Sequence, residues 1–261
     1  MRLTKFCTSN NSIKRASHLR MGTLFGYRDI EEGELRDEHE GRYEFNINFI
    51  DEVRLSNEVI NPLLQNTIGF GGNGNAQRLP GHVEATVERL EIVSQTESFT
   101  TLKDSSIKIS RSTLNCFVYC MSMDLAESPF AQYDDAWHLE SYRIPLFLNA
   151  LGVLIGTNVK LSSFVGDLTS KIAPLTAQRL NVIGRHGPVI YRDRNVNITH
   201  DNVPSPGDFY KLISEMAFVK PTKFSTEREY RFLFELNDGE HIYPPINRFE
   251  LIPLNQLAAF V

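Results

Sequence analysis

Two glutamates near the C-terminal end of the chain have the residue type and spacing that chemistry most often uses. Glu227 and Glu229 are separated by one arginine, and they precede a segment in which aromatic or aliphatic residues alternate with charged ones. Such alternation predicts a β-strand, in which side chains two residues apart project from the same face. The pattern therefore predicts that Glu227, Glu229 and Arg231 project in a row, opposite the aromatic side chains.

This row of charges has two interpretations. Two carboxylates on one face repel each other, and partial burial adds a cost of desolvation. A chain keeps such a pair either on a water-exposed face or at a site that uses it. In the first interpretation the strand is half exposed and a glutamate pairs with Arg231, which contributes about 0–1 kcal/mol. In the second, the carboxylates belong to a functional site.

The composition is that of a soluble globular protein. The 261 residues include 41% hydrophobic and 23% charged residues, which is ordinary for a folded chain and enough to bury a sizeable core. The net charge of -5 argues against a protein that coats nucleic acid by bulk charge. A local basic groove over an active site remains compatible with it.

The cysteines and histidines favour neither disulfides nor a metal site. Cys7, Cys116 and Cys120 are odd in number, and their spacing fits neither a disulfide framework nor zinc, so we expect buried thiols in a reducing cytoplasm. None of the seven histidines forms a ligand pair, so no metal is predicted. The N-terminus lacks a signal-peptide pattern, and the longest apolar run, residues 144–155, is too short to span a membrane. A cytoplasmic protein without membrane contact is predicted.

The periodicity along the chain predicts one α+β domain over residues 1–261, with a mainly antiparallel sheet and a few helices. Residues 3–8 and 23–28 have strand patterns, and Asn10 or Asn11 and Gly22 are suited to cap a helix between them. We expect further strands over residues 43–50, 83–93, 114–123 and 189–193. We expect two helices, a core helix beginning near Pro145 and one capped by Ser205 and Asp208.

Two further segments each have two possible roles. Arg28 follows Tyr27 and has the chemistry to bind an anion such as a pyrophosphate, or to pair with an acidic residue of the segment 31–40. The glycine-rich segment 69–75 lacks the Gly-Lys-Ser/Thr ending of a phosphate-binding P-loop. It is predicted to form a hairpin tip, with a lid over a substrate as the alternative.

Two segments together resemble ADP-ribosyltransferases. Residues 3–24 resemble the strand–helix–strand start of these enzymes, and Glu227-Arg-Glu229 is similar to their Gln/Glu-x-Glu motif. The chain as a whole more closely resembles an uncharacterised bacterial family. Its signatures are Gly-Thr-Leu-x-x-Tyr-Arg at 22–28, Asp-x-x-Glu-Gly at 37–41, Gly-Pro-Val-x-Tyr at 187–191 and Phe-x-Lys with Glu-Tyr-Arg within 218–231.

The resemblance to ADP-ribosyltransferases implies an NAD-consuming enzyme with an ADP-ribosyltransferase-like fold. Glu229 would be the catalytic glutamate, because cleavage of the nicotinamide–ribose bond develops oxocarbenium character that a fixed carboxylate stabilises. Glu227 would orient or deprotonate the acceptor nucleophile. This assignment predicts that Glu229→Gln abolishes NAD turnover and leaves the thermal melting point almost unchanged.

The same resemblance implies the residues that would contact NAD. Lys5 falls where the group usually has His or Arg, which is a departure from its pattern. Thr8 and Asn11 would lie close to the nucleotide. Ser122, with Tyr119 as the second choice, would take the place of the Ser or Tyr in the group's middle motif.

The activity implied is transfer of ADP-ribose from NAD to a nucleic acid or protein acceptor, or hydrolysis of NAD. Because the group includes phage-defence toxins and other toxins, the resemblance also implies a toxin or defence effector with an antitoxin or defence-system partner. One alternative is a non-catalytic binding or sensor component of a defence system, in which Glu227, Glu229 and Arg231 form a structural ion network. Another is a nuclease that binds Mg²⁺ through the cluster Asp37, Glu38 and Glu40 together with Glu229.

Overall fold

The computed structural model describes residues 1–29, 42–64, 82–128, 131–159, 163, 181–205, 207–208, 216–239 and 242–254. The chain divides into two compact units, each with its own hydrophobic core. The first unit comprises Met1–Glu40, Asn115–Tyr191 and Thr222–Val261, and the second comprises Gly41–Leu114 and Arg192–Pro221. The extent of the domain, 1–261, stays a prediction, because two compact units can belong to one domain or to two.

The described elements are mostly strands. In chain order they are β1 (Arg2–Cys7), β2 (His18–Thr23), β3 (Arg42–Ser56), β4 (His82–Arg89), β5 (Ile92–Gln95), β6 (Phe99–Ser112), β7 (Phe117–Met123), β8 (Asp135–Glu140), β9 (Asn181–Pro188), β10 (Ile190–Arg192), β11 (Asn195–Ile198), β12 (Val219–Pro221), β13 (Glu229–Asn237), β14 (Ile242–Tyr243) and β15 (Phe249–Pro253). The α-helices are α1 (Asn57–Leu63) and α2 (Ile144–Asn158). Short 3₁₀ helices cover Ser9–Asn11, Phe25–Asp29, Ser141–Arg143, Met216–Phe218 and Thr222–Glu227. The prediction of a mostly antiparallel α+β protein with few helices is confirmed.

The first unit is built on an eight-stranded antiparallel sheet with the strand order β14-β13-β7-β1-β8. Strand β9 pairs with β13, and β2 joins β7 to β15. Along one edge of β7, Ser122 and Met123 pair with β1, whereas Phe117 and Val118 pair with β2. Strands β1 and β2 therefore diverge along this edge, between the two paired regions.

Helix α2 covers one face of this sheet. Its buried residues, which include Phe147 and Leu151, pack against the aromatic side chains of β7, β8 and β13. The Phe147 ring lies 5.2 Å from Phe232 and 5.6 Å from Trp137, both in edge-to-face arrangements that favour aromatic packing. Because strand side chains alternate, this packing directs the other side chains of β13, beginning with Glu229, to the opposite face.

The second unit is a five-stranded sheet with the order β11-β3-β6-β4, and β5 also pairs with β6. The pairs are antiparallel except for β11 with β3. Alternate residues of β3, such as Phe45 and Ile47, enter the core together with α1. On the other face Asn46 and Asn48 donate hydrogen bonds to Asn195 and Asn197 of β11, at 2.9 and 3.0 Å.

The predicted helix over residues 10–21 and the predicted strand over residues 23–28 are wrong. The chain instead forms a 3₁₀ turn, strand β2, and a second 3₁₀ helix. In β2, Leu19 and Met21 are buried while Arg20 is exposed, a period of two that suits pairing with β15 and β7. Gly22 does not cap a helix; the Tyr27 ring packs so closely that a Cβ would lie 2.9 Å from it.

Most of the other predicted strands and helices are present. The strands expected over 43–50 and 114–123 and the helix from residue 144 are confirmed, and residues 190–192 form the strand expected at 189–193. The single strand expected over 83–93 is two strands, β4 and β5. The Asp208 N–H donates to Ser205 Oγ at 3.1 Å, as the capping prediction requires. Segments 31–40 and 69–75 lie outside the described residues.

Among the described residues, no helix has both the length and the apolar composition needed to cross a membrane.

Candidate functional site

Glu229 is the first residue of β13, and Glu227 is not part of that strand. Glu227 ends the 3₁₀ helix Thr222–Glu227 and is half-buried. Between them Arg228 has a φ of 43°, a left-handed conformation that interrupts the extended chain. The prediction that Glu227, Glu229 and Arg231 project in one row is therefore wrong, because only the last two share a strand face.

Glu229 and Arg231 form a two-pronged ion pair. Arg231 Nε donates to Glu229 Oε1 at 2.8 Å, and Arg231 Nη2 donates to Oε2 at 3.2 Å. Their side chains are only 1% and 7% exposed, for Arg231 and Glu229 respectively. The expectation of a half-exposed strand is wrong, since β13 is covered on both faces over its first six residues.

Strand β7 supplies the neighbours of this pair. Ser122 lies opposite Glu229, and Cys120 lies opposite Arg231. The Cys120 thiol hydrogen-bonds Glu229, and the Tyr27 hydroxyl hydrogen-bonds the thiol. Burial, followed by the negative charge of Glu229, raises the pKa of Cys120 well above its usual value, and the positive charges of Arg231 and Lys5 oppose this shift. Burial and then the neighbouring Cys120 and Glu229 likewise raise the pKa of Tyr27, so both groups stay protonated at neutral pH.

The backbone around Glu229 is fixed on both sides. Its N–H donates to the Tyr191 hydroxyl at 2.8 Å, and its carbonyl accepts from the N–H of Val189 at 2.9 Å. The N–H of Met123 donates to the carbonyl of Arg228 at 2.8 Å. These bonds hold the start of β13 against β7 on one side and against residues 189–191 on the other, which positions the carboxylate.

Lys5 and Tyr119 come together at the place where β1 and β2 diverge. Lys5 Nζ donates to the carbonyl of Cys120 at 2.8 Å and lies 4.8 Å from the centre of the Tyr119 ring. Tyr119 itself is buried in the core on the α2 side of the sheet, with its ring stacked near Trp137. The ammonium group therefore satisfies a β7 carbonyl that lies between the region paired with β1 and the region paired with β2.

Thr8 and Asn11 lie together, beyond the end of β1. The Asn11 amide donates to Thr8 Oγ1 at 3.0 Å, and the adjacent Ser9 donates through its N–H and hydroxyl to Asp134. Thr4 is the β1 residue opposite Ser122, so Thr8 is four residues away along the strand, or about 13 Å. Of the residues expected to contact NAD, Ser122 lies opposite Glu229 and Lys5 reaches the nearby Cys120 carbonyl. Tyr119 instead lies on the α2 face of the sheet, away from Glu229, and Thr8 and Asn11 lie beyond the end of β1.

The remaining sequence-based candidates have less structural support. Arg28 lies in the 3₁₀ helix Phe25–Asp29, but its side chain is outside the described part of the chain. Asp37, Glu38 and Glu40 are also outside it. Within the ranges that the structure describes, no group of three or more His, Cys, Asp or Glu side chains is arranged to hold a metal ion.

Three residues of the site were not identified as site residues from the sequence. Tyr27 and Tyr191 belong to the signature segments 22–28 and 187–191, but neither tyrosine was assigned a role from the sequence. Cys120 was interpreted only as a buried hydrophobic residue. Its contact with Glu229 depends on the pairing of β7 with β13, two strands more than a hundred residues apart.

Comparisons with protein-family models, curated proteins and solved structures find no match to this chain. The arrangement itself suits electrostatic work. A carboxylate whose two oxygens are both fixed by one guanidinium is a preorganised group, of the kind that can stabilise a developing cation.

Proposed function

We propose that this protein is an NAD-consuming enzyme of the ADP-ribosyltransferase type, with Glu229 as its catalytic carboxylate. The observation that carries the proposal is the position of Glu229 at the start of β13. It lies opposite Ser122, with both carboxylate oxygens engaged by Arg231. The Glu227-Arg-Glu229 resemblance supports the same assignment.

The proposed chemistry breaks the bond between nicotinamide and C1′ of the ribose, and the bonding electrons leave with nicotinamide. The ribose gains oxocarbenium character, which the fixed carboxylate of Glu229 stabilises without reorganisation. An acceptor nucleophile then bonds to C1′ and loses its proton. Glu227, half-buried just before the strand, is the base proposed to orient or deprotonate that acceptor.

The proposed acceptor is a nucleic acid or a protein, and water would make the enzyme an NAD hydrolase. Such a modification would damage the cell that contains it, which supports a role as a toxin or phage-defence effector with a neutralising partner. Because NAD is the substrate, we place the proposed activity in the cytoplasm. Lys5 and Ser122 are the residues proposed to face the dinucleotide first, Thr8 and Asn11 its far end, and Arg28 its pyrophosphate. Tyr119 is not retained, because it is buried on the α2 face of the sheet.

The test is release of nicotinamide from NAD by purified protein, with and without cell lysate as the source of acceptor. Glu229→Gln and Glu229→Asp are compared with Glu235→Gln, which changes another glutamate of β13. We expect release that requires Glu229 and is unaffected by Glu235→Gln. Dependence on lysate would establish transfer, and release without lysate would establish hydrolysis. No release by folded wild-type protein under either condition would refute the proposal.

The burial of the Glu229–Arg231 pair favours a second candidate, a non-catalytic binding or sensor protein. In that case the pair would be a structural element of the sheet, since its side chains expose almost no surface. The two candidates differ in their response to NAD. A specific NAD site raises the melting temperature at saturating NAD, by mass action on the folded state, whereas a partner-binding protein responds to its protein partner alone.

A further inference from the structure

Arg231 is held as firmly as Glu229, although the sequence assigned it at most a structural pairing. We propose that Arg231 is a positioning residue, which fixes the orientation of the Glu229 carboxylate and keeps that group ionised inside the protein. The inference rests on the proposed function, because it concerns how the same site would work.

The geometry of the pair supports the orienting role. Two N–H groups of one planar guanidinium each engage a different carboxylate oxygen, at 2.8 and 3.2 Å. This two-point contact fixes the rotation of the carboxylate, which a lysine ammonium does not do. Each carboxylate oxygen can accept a second hydrogen bond beside the one from Arg231, and the Cys120 thiol is one such further donor.

The surroundings of the pair support the ionising role. A buried carboxylate is costly unless a cation and hydrogen bonds compensate for the water it has lost. The groups described beside Glu229 and its neighbour Cys120 include Tyr27, Cys120, Tyr191, Lys5 and Arg231. Of these, Tyr27 and Cys120 are neutral at pH 7, and Lys5 donates to the Cys120 carbonyl. Arg231 contacts both oxygens of the carboxylate, so its removal should shift Glu229 toward the protonated form.

A matched control lies on the same strand. Arg185 of β9 pairs with Glu235 of β13 at 2.5 Å, and the side chains are 42% and 21% exposed. Both pairs join an arginine to a glutamate of β13, so they differ mainly in burial. Removal of an exposed arginine should have little effect, because water replaces it.

The experiment compares wild type with Arg231→Gln, Arg231→Lys and Arg185→Gln. Nicotinamide release gives kcat and KM for each, and thermal unfolding is followed between pH 5 and pH 8. We expect Arg231→Gln to lower kcat about 100-fold with little change in KM, the loss typical of a misplaced catalytic group. Arg231→Lys should recover part of this activity, because it restores the charge without the two-point contact. Arg185→Gln should stay close to wild type.

The pH dependence of stability tests ionisation without any need for activity. With Arg231 in place, the charged carboxylate stabilises the fold above the pKa of an unfolded glutamate, about 4.3, and that stability is lost on acidification. In Arg231→Gln the buried carboxylate is stable when protonated, so its contribution is lost as pH rises. The melting temperature of Arg231→Gln should therefore approach that of wild type as pH falls. The double variant Arg231→Gln/Glu229→Gln should show no such approach.

The outcomes separate the two proposals. Wild-type kcat in Arg231→Gln would overturn the positioning role and leave the proposed function intact. If wild-type protein releases no nicotinamide, the proposed function fails, and the pH comparison decides whether Arg231 keeps Glu229 charged. A stability deficit in Arg231→Gln that does not change with pH would overturn the inference. If Arg231→Gln does not fold at pH 7, the Arg231→Lys variant and the measurements near pH 5 supply the comparison.

Discussion

Replacement of Glu229 by glutamine should destabilise the first unit substantially. The substitution keeps the shape of the side chain but removes the negative charge that Nε and Nη2 of the buried Arg231 contact. Removal of one member of a buried ion pair costs about 3–5 kcal/mol. Because the glutamine carbonyl can still accept one hydrogen bond from Arg231, we expect the lower end of that range, about 3 kcal/mol. The expectation from the sequence, an almost unchanged melting point, is thereby replaced.

Thermal unfolding monitored by tryptophan fluorescence measures this effect in the first unit. Trp137 is the single tryptophan of the chain and is buried in the core of that unit. At about 2–4 °C per kcal/mol for a chain of this size, the melting temperature should fall by about 6–12 °C. In the control, Glu235→Gln, the exposed pair contributes about 0–1 kcal/mol, so the fall should be below about 4 °C.

A double-mutant cycle identifies the cause of the loss. Glu229→Gln, Arg231→Met and the double variant are compared, and the double variant should be less destabilised than the sum of the single changes by about 2–3 kcal/mol. The reasoning is refuted if Glu229→Gln shifts the melting temperature no more than Glu235→Gln, or if the two changes are additive. The result also sets the conditions for the nicotinamide assay, which must be run below the transition of the least stable variant.

Four further predictions concern the first unit. Gly26→Ala should destabilise the first unit by about 1–3 kcal/mol or more in urea unfolding, because the added Cβ would lie 2.3 Å from the Arg248 carbonyl oxygen. Gly152→Ala, whose Cβ would meet its nearest atoms at 3.9 Å within α2, should instead gain about 0.5–1 kcal/mol, and a loss would contradict the packing. Arg228→Gly should raise stability by up to about 1 kcal/mol, since it relieves a φ of 43° in a side-chain-bearing residue. In an alkaline titration at 295 nm, Tyr119 and Tyr230 should ionise only above pH 10, because burial raises the pKa of each. The stability that these two tyrosines contribute is present below that pH and is lost as pH rises. The chain has nine tyrosines, and Tyr230→Phe should remove one of those that ionise at high pH.

The sequence alone was enough to predict strand β13 and helix α2. The alternation of aromatic residues in β13 and the apolar run of α2 depend only on local periodicity, and both elements are present. The structure of residues 10–22 could not be predicted in the same way. Asn10, Asn11 and Gly22 satisfied the local rules for a helix, but pairing of β2 with β15, some 230 residues further along the chain, favours an extended conformation.

The sequence by itself determined which residue types are available at the site. Two glutamates and two arginines occur within residues 227–231, and the strand pattern places Glu229 and Arg231 on one face. Only the tertiary structure decided which of these residues contact each other and how deeply they are buried. The left-handed turn at Arg228 removes Glu227 from the row, and pairing of β13 with β7 brings Cys120 and Ser122 to the Glu229–Arg231 pair. Tyr27 reaches the same place from the 3₁₀ helix Phe25–Asp29. Burial on both faces converts a pair that would be worth little in water into one that costs several kcal/mol to break. The reason is physical: periodicity follows from neighbouring residues, whereas the dielectric environment of a charge depends on segments that are distant in sequence.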